Sequence, residues 1–545
     1  MWPPPPPLET KRSRMTTPST STNDRSVTRP PPPVLGRLLN GSFWLALQIP
    51  LQAVFSIWSL RLIIEAIGPE QSGAYRFAYG FSFIQFLLEF ASGSALQRQI
   101  STAWIRGDRA QVNRAIACGT NFYVAMAIVQ AMALLSVAHL ALPHTEFEGE
   151  SYRLVVRLLW LQAVTAPIFG ISMVVSSVLQ AARLYDFLPR YELAITVLRF
   201  MVLVLGVKVG LDFFWVIVAQ TAVIIVLRIG PALKVMVFEL GYRLHLRGAR
   251  WDDYKILGQF SFYVTLLQIS AVLADKVDTT ILGFILTGPG PHIAVYDVVS
   301  KPFALLRQSG WMLASLVMPA VASLAASHDE RGLERIKYDG TRMHIGVLLP
   351  IGLLAWIYAR PFLSLWFGRS LGYDAAEVAP LMRLYLIAAI PLVLAVPVQM
   401  AIGLNKIKVI AMAALFGSLV NLPLSCYLTA RLGVAGVIWG TVLTALPANL
   451  LVPGLCVLRG LQIDPWTYLR RTLGAPLIGA AALITSAFAS RLLMPIADHA
   501  PTLWSHTLPL ALHLALSLSA YIIFYSLIAT GHGDLSKLVA RIRRR

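Results

Sequence analysis

Long apolar runs separated by short polar connections repeat along most of the chain. A helical bilayer crossing needs ~20 mostly apolar residues. Fourteen such runs occur, at roughly 41–64, 74–97, 113–139, 154–180, 189–210, 213–238, 255–286, 292–324, 343–366, 380–403, 407–430, 433–457, 473–494 and 506–530. The pattern predicts an all-α polytopic membrane protein with about fourteen transmembrane helices. Glycine and proline punctuate the connections, as in Gly68-Pro69, Gly288-Pro289-Gly290-Pro291 and Gly531-His532-Gly533. Within the runs, Pro50, Pro167, Pro302, Pro391, Pro397 and Pro447 predict kinks, which membrane helices tolerate where neighbours satisfy the freed carbonyls.

The pattern also repeats on a longer scale. Ile64-Glu65-Ala66-Ile67-Gly68, leading to Gly73-Ala74-Tyr75, is echoed about 220 residues later by Ile285 and Gly288 leading to Ala294-Val295-Tyr296. The connection at Arg183 is mirrored by Lys406-Ile407-Lys408. An offset of six spans preserves topology, so the halves should be related by an axis along the membrane normal. Chance likeness among apolar helices is the competing account. The expected organisation is a tail at 1–35, an N-lobe of six spans at 36–240, a pseudo-symmetric C-lobe of six at 241–458, and two appended helices with a basic tail at 459–545.

Composition supports the membrane reading. The chain has 545 residues, 57% hydrophobic and only 13% charged, where a soluble domain carries ~25% charged residues. A net charge of +19 would suggest nucleic acid for a soluble protein, but the basic residues sit in the short connections and report orientation instead. With the N-terminus inside, the cytoplasmic segments hold 31 Lys and Arg against about 10 on the other side, where the loop carrying Glu146, Glu148 and Glu150 is acidic. Both termini are therefore expected in the cytoplasm. Residues 1–35 are proline-rich and hydroxyl-rich, expected to be disordered and unlike a signal peptide. Cys118, Cys426 and Cys456 lie in apolar stretches without metal-ligand spacing, so no disulfide, metal site or cofactor is expected.

Polar residues inside spans are expensive and usually face a cavity or a partner. Gln48, Gln52, Ser56 and Ser59 form one stripe at helical spacing in the first span, and Tyr75, Tyr79, Ser82 and Glu89 form another in the second. The seventh span carries Ser261, Thr265, Gln268 and Asp275, and the eighth carries Asp297, Lys301, Gln308 and Ser315 with Arg307 beside them. These are the first two helices of each half, and a water-filled cavity between the lobes explains them together. Interhelical hydrogen bonding is the alternative for any single Ser, Thr or Gln. Asp297 accounts for Lys301 one turn away but not for Arg307. Asp275 and Asp278 flank Lys276 as either a structural triad or an ion-coupling site. Arg199 and Arg228 also lie in spans, while Arg61 and Arg76 sit near span ends and read as snorkelling cations. There is no HExxH, no Ser/His/Asp order and no P-loop, and every loop is short, so no enzyme is expected.

Ile67-Gly68-Pro69-Glu70-Gln71-Ser72-Gly73-Ala74-Tyr75, then Leu88-Glu89-Phe90-Ala91-Ser92-Gly93-Ser94-Ala95-Leu96-Gln97-Arg98 and Gly107-Asp108, resemble the opening of Wzx-type polysaccharide-biosynthesis flippases. These belong to the multidrug, oligosaccharidyl-lipid and polysaccharide (MOP) exporter superfamily. Asp278 with Ile281-Leu282-Gly283, Val295-Tyr296, Lys301 and Met318-Pro319 continue the likeness, as do Ala401-Ile402-Gly403-Leu404-Asn405-Lys406 and the run from Leu432-Gly433 to Gly440-Thr441. It covers about 36–458. Glu89 stands where such sequences commonly have Asp, and the tail and last two spans fall outside the pattern.

The resemblance implies two six-helix lobes alternating between inward-open and outward-open states in a bacterial inner membrane. The implied substrate is an oligosaccharide on undecaprenyl pyrophosphate, destined for exopolysaccharide or O-antigen type glycans and handled alongside membrane lipids and, as partners, a glycan polymerase or glycosyltransferases. Lys301, Arg307, Gln268, Gln48, Gln52, Glu89 and Asp297 are the expected substrate contacts, with Asp275 and Asp278 for ion coupling. Cations suit a pyrophosphate because charge-assisted contacts to phosphate are strong. Rival readings are a MATE-like drug exporter, whose organic cations would want an acidic, aromatic cavity, a peptidoglycan-precursor flippase, and a non-transporting scaffold of a glycan assembly complex.

Overall fold

The computed structural model describes residues 34–530 apart from 183, 185–186, 260–269, 271–272, 274–276, 316, 368–369, 371, 405–407, 461–463 and 495–502. Its side chains are described from residue 51 onward, apart also from 83, 85–95, 188–189, 256–259, 319, 322–323, 326, 458 and 503–506. The described chain is helical, with no strand. The helices are α1 (Val34–Gly80), α2 (Ser82–Ile105), α3 (Arg109–His144), α4 (Gly149–Ala181), α5 (Phe187–Val209) and α6 (Phe213–Glu239). There follow α7 (Trp251–Gln259), α8 (Asp278–Ile285), α9 (Pro289–Ser315) with a further short helix after it (Val317–Ala326), α10 (Glu330–Ile357) and α11 (Ala359–Phe367). The last are α12 (Ala375–Gly403), α13 (Lys408–Leu432), α14 (Val434–Val457), α15 (Pro465–Leu493) and α16 (Leu503–Thr530).

Ten of the described helices are long and apolar enough to cross a bilayer. Of the other four expected spans, α5 and α9 are less apolar because they carry Arg190, Glu192, Arg199 and Lys208, and Asp297, Lys301 and Arg307 respectively. The remaining two, α2 and the run at 255–286, include residues outside the described set. Aspartates start several helices: Asp108, Asp212, Asp329, Asp374 and Asp464 each accept a hydrogen bond from a backbone N–H in the first turn. Such caps satisfy donors that have no intrahelical partner. Pro391 falls in a 3-10 turn within α12 and Pro447 in a π turn within α14, local departures from α geometry at two of the expected kinks.

The sequence repeat has a structural counterpart. Gly68 breaks α1 at φ 76°, and Gly288 precedes α9 at φ 55°, each followed by proline. Positive φ suits glycine because it lacks a Cβ. The two helices that leave these turns cross at Gly73 and Gly290, where a Cβ on Gly73 would overlap the Gly290 carbonyl. Helices approach this closely in membranes only through small residues.

At this end both lobes share one buried apolar cluster, in which Phe77 and Phe147 join Leu282, Val295, Trp366 and Tyr385. Polar contacts reinforce it. The Trp366 indole donates to the Ile57 carbonyl at 3.0 Å, Arg61 donates to the Leu365 carbonyl at 3.3 Å, and the Gly288 amide donates to Glu146 at 3.3 Å. Toward the opposite end the clusters separate. One holds Leu96, Ile116, Val178 and Met236 of the N-lobe, and another holds Ala314, Val321, Val396 and Met400 of the C-lobe.

The first of the two C-terminal helices, α15, is held near both ends against α10 and the residue after it. Arg491 donates to the Ile357 carbonyl at 2.8 Å and lies over the Tyr358 ring, while Arg471 contacts Glu334 and the Tyr338 ring. Between α15 and α16, the fully buried His513 bridges the Ser490 hydroxyl at 2.6 Å and the Met494 carbonyl at 2.8 Å.

Candidate functional site

One turn of α9 carries Tyr296, Asp297, Ser300 and Lys301, and it sits where the two lobes meet. Asp297 is buried and draws two cations. Arg76 Nε from α1 lies 2.9 Å from its Oδ1, and Lys301 Nζ lies 3.5 Å from the same oxygen. The Arg76 N–H is not aimed at that oxygen, so the attraction is coulombic rather than a directed hydrogen bond. Arg76 was expected to snorkel. It turns inward instead, because its helix crosses α9 and Asp297 is the acid it meets there. The repeat held a signal: Tyr75-Arg76 and Tyr296-Asp297 occupy matching positions in it with opposite charges.

Beside Asp297, Tyr296 points into the C-lobe and donates to Asp278 Oδ2 at 2.6 Å. The same carboxylate oxygen takes Thr441 of α14 at 3.3 Å and Tyr385 of α12 at 3.5 Å, and the two tyrosine hydroxyls lie 2.8 Å apart. An ionised carboxylate only accepts hydrogen bonds, and here hydroxyls from three helices converge on it. Tyr385 also stacks on Phe303 at 4.5 Å, and the Arg307 guanidinium lies 5.6 Å over that ring from α9. Arg307, Phe303, Tyr385, Tyr296 and Asp278 therefore form a continuous chain of contacts.

Lys301 borders a second feature, an apolar cavity of about 290 Å³. Ile57 of α1, Trp366 of α11, Leu386 of α12 and Leu514 of α16 help line it, with Ser309 and the Tyr358 hydroxyl among its few polar groups. A cationic cluster and an apolar chamber thus share one lysine.

The expected contact residues divide accordingly. Asp297, Lys301 and Asp278 are buried or half-buried in these networks, and Arg307 is half-buried against Phe303. Gln52 is exposed on α1 and Gln308 is exposed on α9. The side chains of Gln48, Glu89, Gln268 and Asp275 lie outside the described residues. Tyr385 and Thr441 were not anticipated; they lie 107 and 163 residues from Asp278, and no local spacing announces them. Among the described residues, no group of three or more His, Cys, Asp or Glu side chains could hold a metal ion.

No protein-family model matches the sequence, and no curated protein sequence does. Solved structures do match. The Lipid II flippase MurJ in an inward closed conformation superposes with a TM-score of 0.65 at 11% identity, covering 91% of this chain and 99% of that one. An inward-facing multidrug-resistance MATE transporter of the MOP superfamily gives 0.55 at 13% identity, covering 79% and 98%. A eukaryotic MATE transporter gives 0.55 at 14%, covering 79% and 97%. Identities this low establish the fold: the chain has the all-α polytopic architecture of MOP-superfamily transporters and flippases. The structures it resembles are transporters rather than enzymes.

Proposed function

We propose that the chain is a flippase that moves a lipid-linked oligosaccharide, carried on undecaprenyl pyrophosphate, across a bacterial inner membrane by alternating access. The observation that carries this reading is the junction at Lys301 of a cationic cluster with an apolar cavity. That junction matches an amphiphile with an anionic head and a hydrocarbon tail. An organic cation would find Arg76, Lys301 and Arg307 repulsive in the same place. On this reading, the cations take the pyrophosphate when Asp297 releases them, and both termini are cytoplasmic. The shared core then closes the outer side, and the lobes part toward the cytoplasm.

Asp278 is the coupling carboxylate in this scheme. A proton or cation arriving there would loosen Tyr296, whose neighbour Asp297 holds Arg76. Glycan polymerase or glycosyltransferases would act beside the flippase. The likeness to a Lipid II flippase covers 91% of this chain, and this keeps a peptidoglycan precursor as a second substrate reading.

The test is translocation of a fluorescent polyprenyl-diphosphate disaccharide in proteoliposomes, read by its accessibility to a membrane-impermeant quencher. Wild-type protein should translocate it. A Lys301→Ala, Arg307→Ala double variant should insert normally and lose translocation, and Arg307→Lys should retain part of it because a point charge still attracts phosphate. Full translocation by the double variant would refute the site. Transport of organic cations with no movement of the lipid would favour the MATE reading.

A further inference from the structure

Between α6 and α7 the chain runs from Leu240 to Arg250 without helix or strand, and the proposed function leaves this strap unused. It begins where α6, long and apolar enough to cross a bilayer, ends at Glu239, so it lies at the height of the lipid headgroups. Its backbone is held against the N-lobe. The Leu240 and Tyr242 amides donate to the Val235 and Met236 carbonyls at 3.0 Å each, and the Asn121 side chain of α3 donates to the Leu246 carbonyl at 2.9 Å. At the far end, the buried Asp253 carboxylate accepts from the Arg250 amide at 2.9 Å. Tyr242 is buried in the N-lobe cluster with its ring 5.3 Å from that of Trp104 on α2, and Leu244 and Ala249 pack against the same cluster.

These anchors decide what the strap turns outward. Arg243, Leu246, Arg247, Arg250 and Trp251 are exposed, Leu246 at 57% and Trp251 at 73%, and Phe238 in the last turn of α6 is exposed at 82%. Between Gly241 and Trp251 there are three arginines and no Asp or Glu. The flanking acids are Glu239 and Asp252, and Lys255 already lies 3.5 Å from Asp252. Large apolar side chains interleaved with cations suit the boundary between acyl chains and anionic headgroups, where tryptophan rings settle and basic residues meet phosphate. Other occupants fit less well. A face this basic repels a second copy of itself, and residues 1–33, with five Lys or Arg against two acids, are repelled likewise.

We propose that the strap is a membrane-surface site for anionic phospholipids: Leu246 and Trp251 enter the acyl boundary, and Arg243, Arg247 and Arg250 meet the phosphates. Because the strap is bonded to α3 and packed on α2, the site anchors the N-lobe. It does so whichever molecule the protein transports.

The test uses full-length protein in a cysteine-free background, with a bimane fluorophore at Leu246→Cys, reconstituted in mixtures of phosphatidylcholine and phosphatidylglycerol. Each lipid in turn carries brominated acyl chains, and the dependence of quenching on composition gives the relative binding constant at the label. Phosphatidylglycerol should be preferred about fivefold or more, the gain from one basic residue beside an anionic surface. Arg243→Gln, Arg247→Gln and Arg250→Gln together should bring the ratio close to one. The corresponding triple lysine variant should retain most of the preference, because a point charge also attracts phosphate. All three side chains are exposed, so the thermal midpoint of the glutamine variant should match that of wild type. Absence of quenching by either lipid would put the strap in water and overturn the site. Equal quenching by both, or an undiminished preference in the glutamine variant, would overturn anionic recognition. Quenching that appears only when residues 1–33 are deleted would give the surface to the tail instead. Each of these failures leaves the flippase reading in place.

Discussion

Replacing Arg76 by Ala should shift the balance between closed and open lobes rather than unfold the protein. The side chain of Asp297 is 7% exposed and that of Arg76 is 27% exposed, and the pair spans the lobe boundary at 2.9 Å. Removing one member of a buried ion pair costs ~3–5 kcal/mol. Lys301 remains 3.5 Å from Asp297 and Arg76 keeps some solvent, so the loss should fall nearer ~2–3 kcal/mol. That energy belongs to the closed arrangement, because the partners sit on different lobes. At ~1.4 kcal/mol per tenfold, the closed-to-open ratio should drop by a factor of roughly 30 to 150. The assay is a distance distribution between spin labels at Glu148→Cys and Thr287→Cys in a cysteine-free background, on opposite sides of the shared core. Wild-type protein should give one short distance, Arg76→Ala a mixture with a longer one, and Arg76→Lys an intermediate. A double-mutant cycle with Asp297→Ala should show ~1–3 kcal/mol of coupling. An unchanged distribution in Arg76→Ala, or strict additivity with Asp297→Ala, would refute the interlobe lock.

Two further outcomes follow from the packing and the caps. Gly73→Val should force α1 away from the Gly290 carbonyl, cost at least the ~1–3 kcal/mol typical of overpacking, and lower the thermal midpoint in detergent more than Gly73→Ala does. At the start of α15, hydrogen bonds from the Thr467 side chain and then its amide hold the Asp464 carboxyl below its ordinary range. The cap's stability is therefore present above the unfolded carboxylate pKa and is lost as pH falls through the lower folded value. The stability difference between wild type and Asp464→Asn should accordingly shrink on acidification, and a difference that grows would contradict the cap.

The membrane architecture was legible because length and hydropathy are severe constraints: every buried backbone group in lipid must be paired within a helix. The Gly68-Pro69 and Gly288-Pro289 turns were legible for a similar reason, since both glycines adopt positive φ. Asp297 with Lys301 was readable as an i, i+4 pair, while Gln52 and Gln308 of the polar stripes are exposed. Partner choice was not readable. Arg76 looked like a snorkelling cation because distance from a helix end says nothing about which face meets the other lobe. The hydroxyls around Asp278 come from α9, α12 and α14, so only the tertiary fold assembles them. Nor did spacing show that the Glu192 charge on α5 is taken by Arg228 of α6.

The arrangement of cores bears on what must drive transport. At the Gly68 and Gly288 end, opening would expose Phe77, Phe147 and Leu282, which are now wholly or almost wholly buried. Each such side chain costs ~1.5–3 kcal/mol to expose, so release of the Arg76 pair populates the open arrangement only in part and leaves a deficit. The deficit must be met by new packing at the opposite end or by a ligand that binds the open arrangement better, since a ligand shifts an equilibrium only by its differential affinity. Arg76 and Lys301 face one and the same carboxylate, Asp297. While the lobes are closed, Asp297 occupies both cations. On the proposed flippase reading, an anionic head group that takes them over would satisfy in the intermediate what Asp297 satisfies in the closed state, and the interlobe attraction would disappear in the same step. Electrostatic release of the lock and recognition of the substrate are then one event, and that is why a cationic cluster belongs at the lobe boundary rather than deep within either lobe.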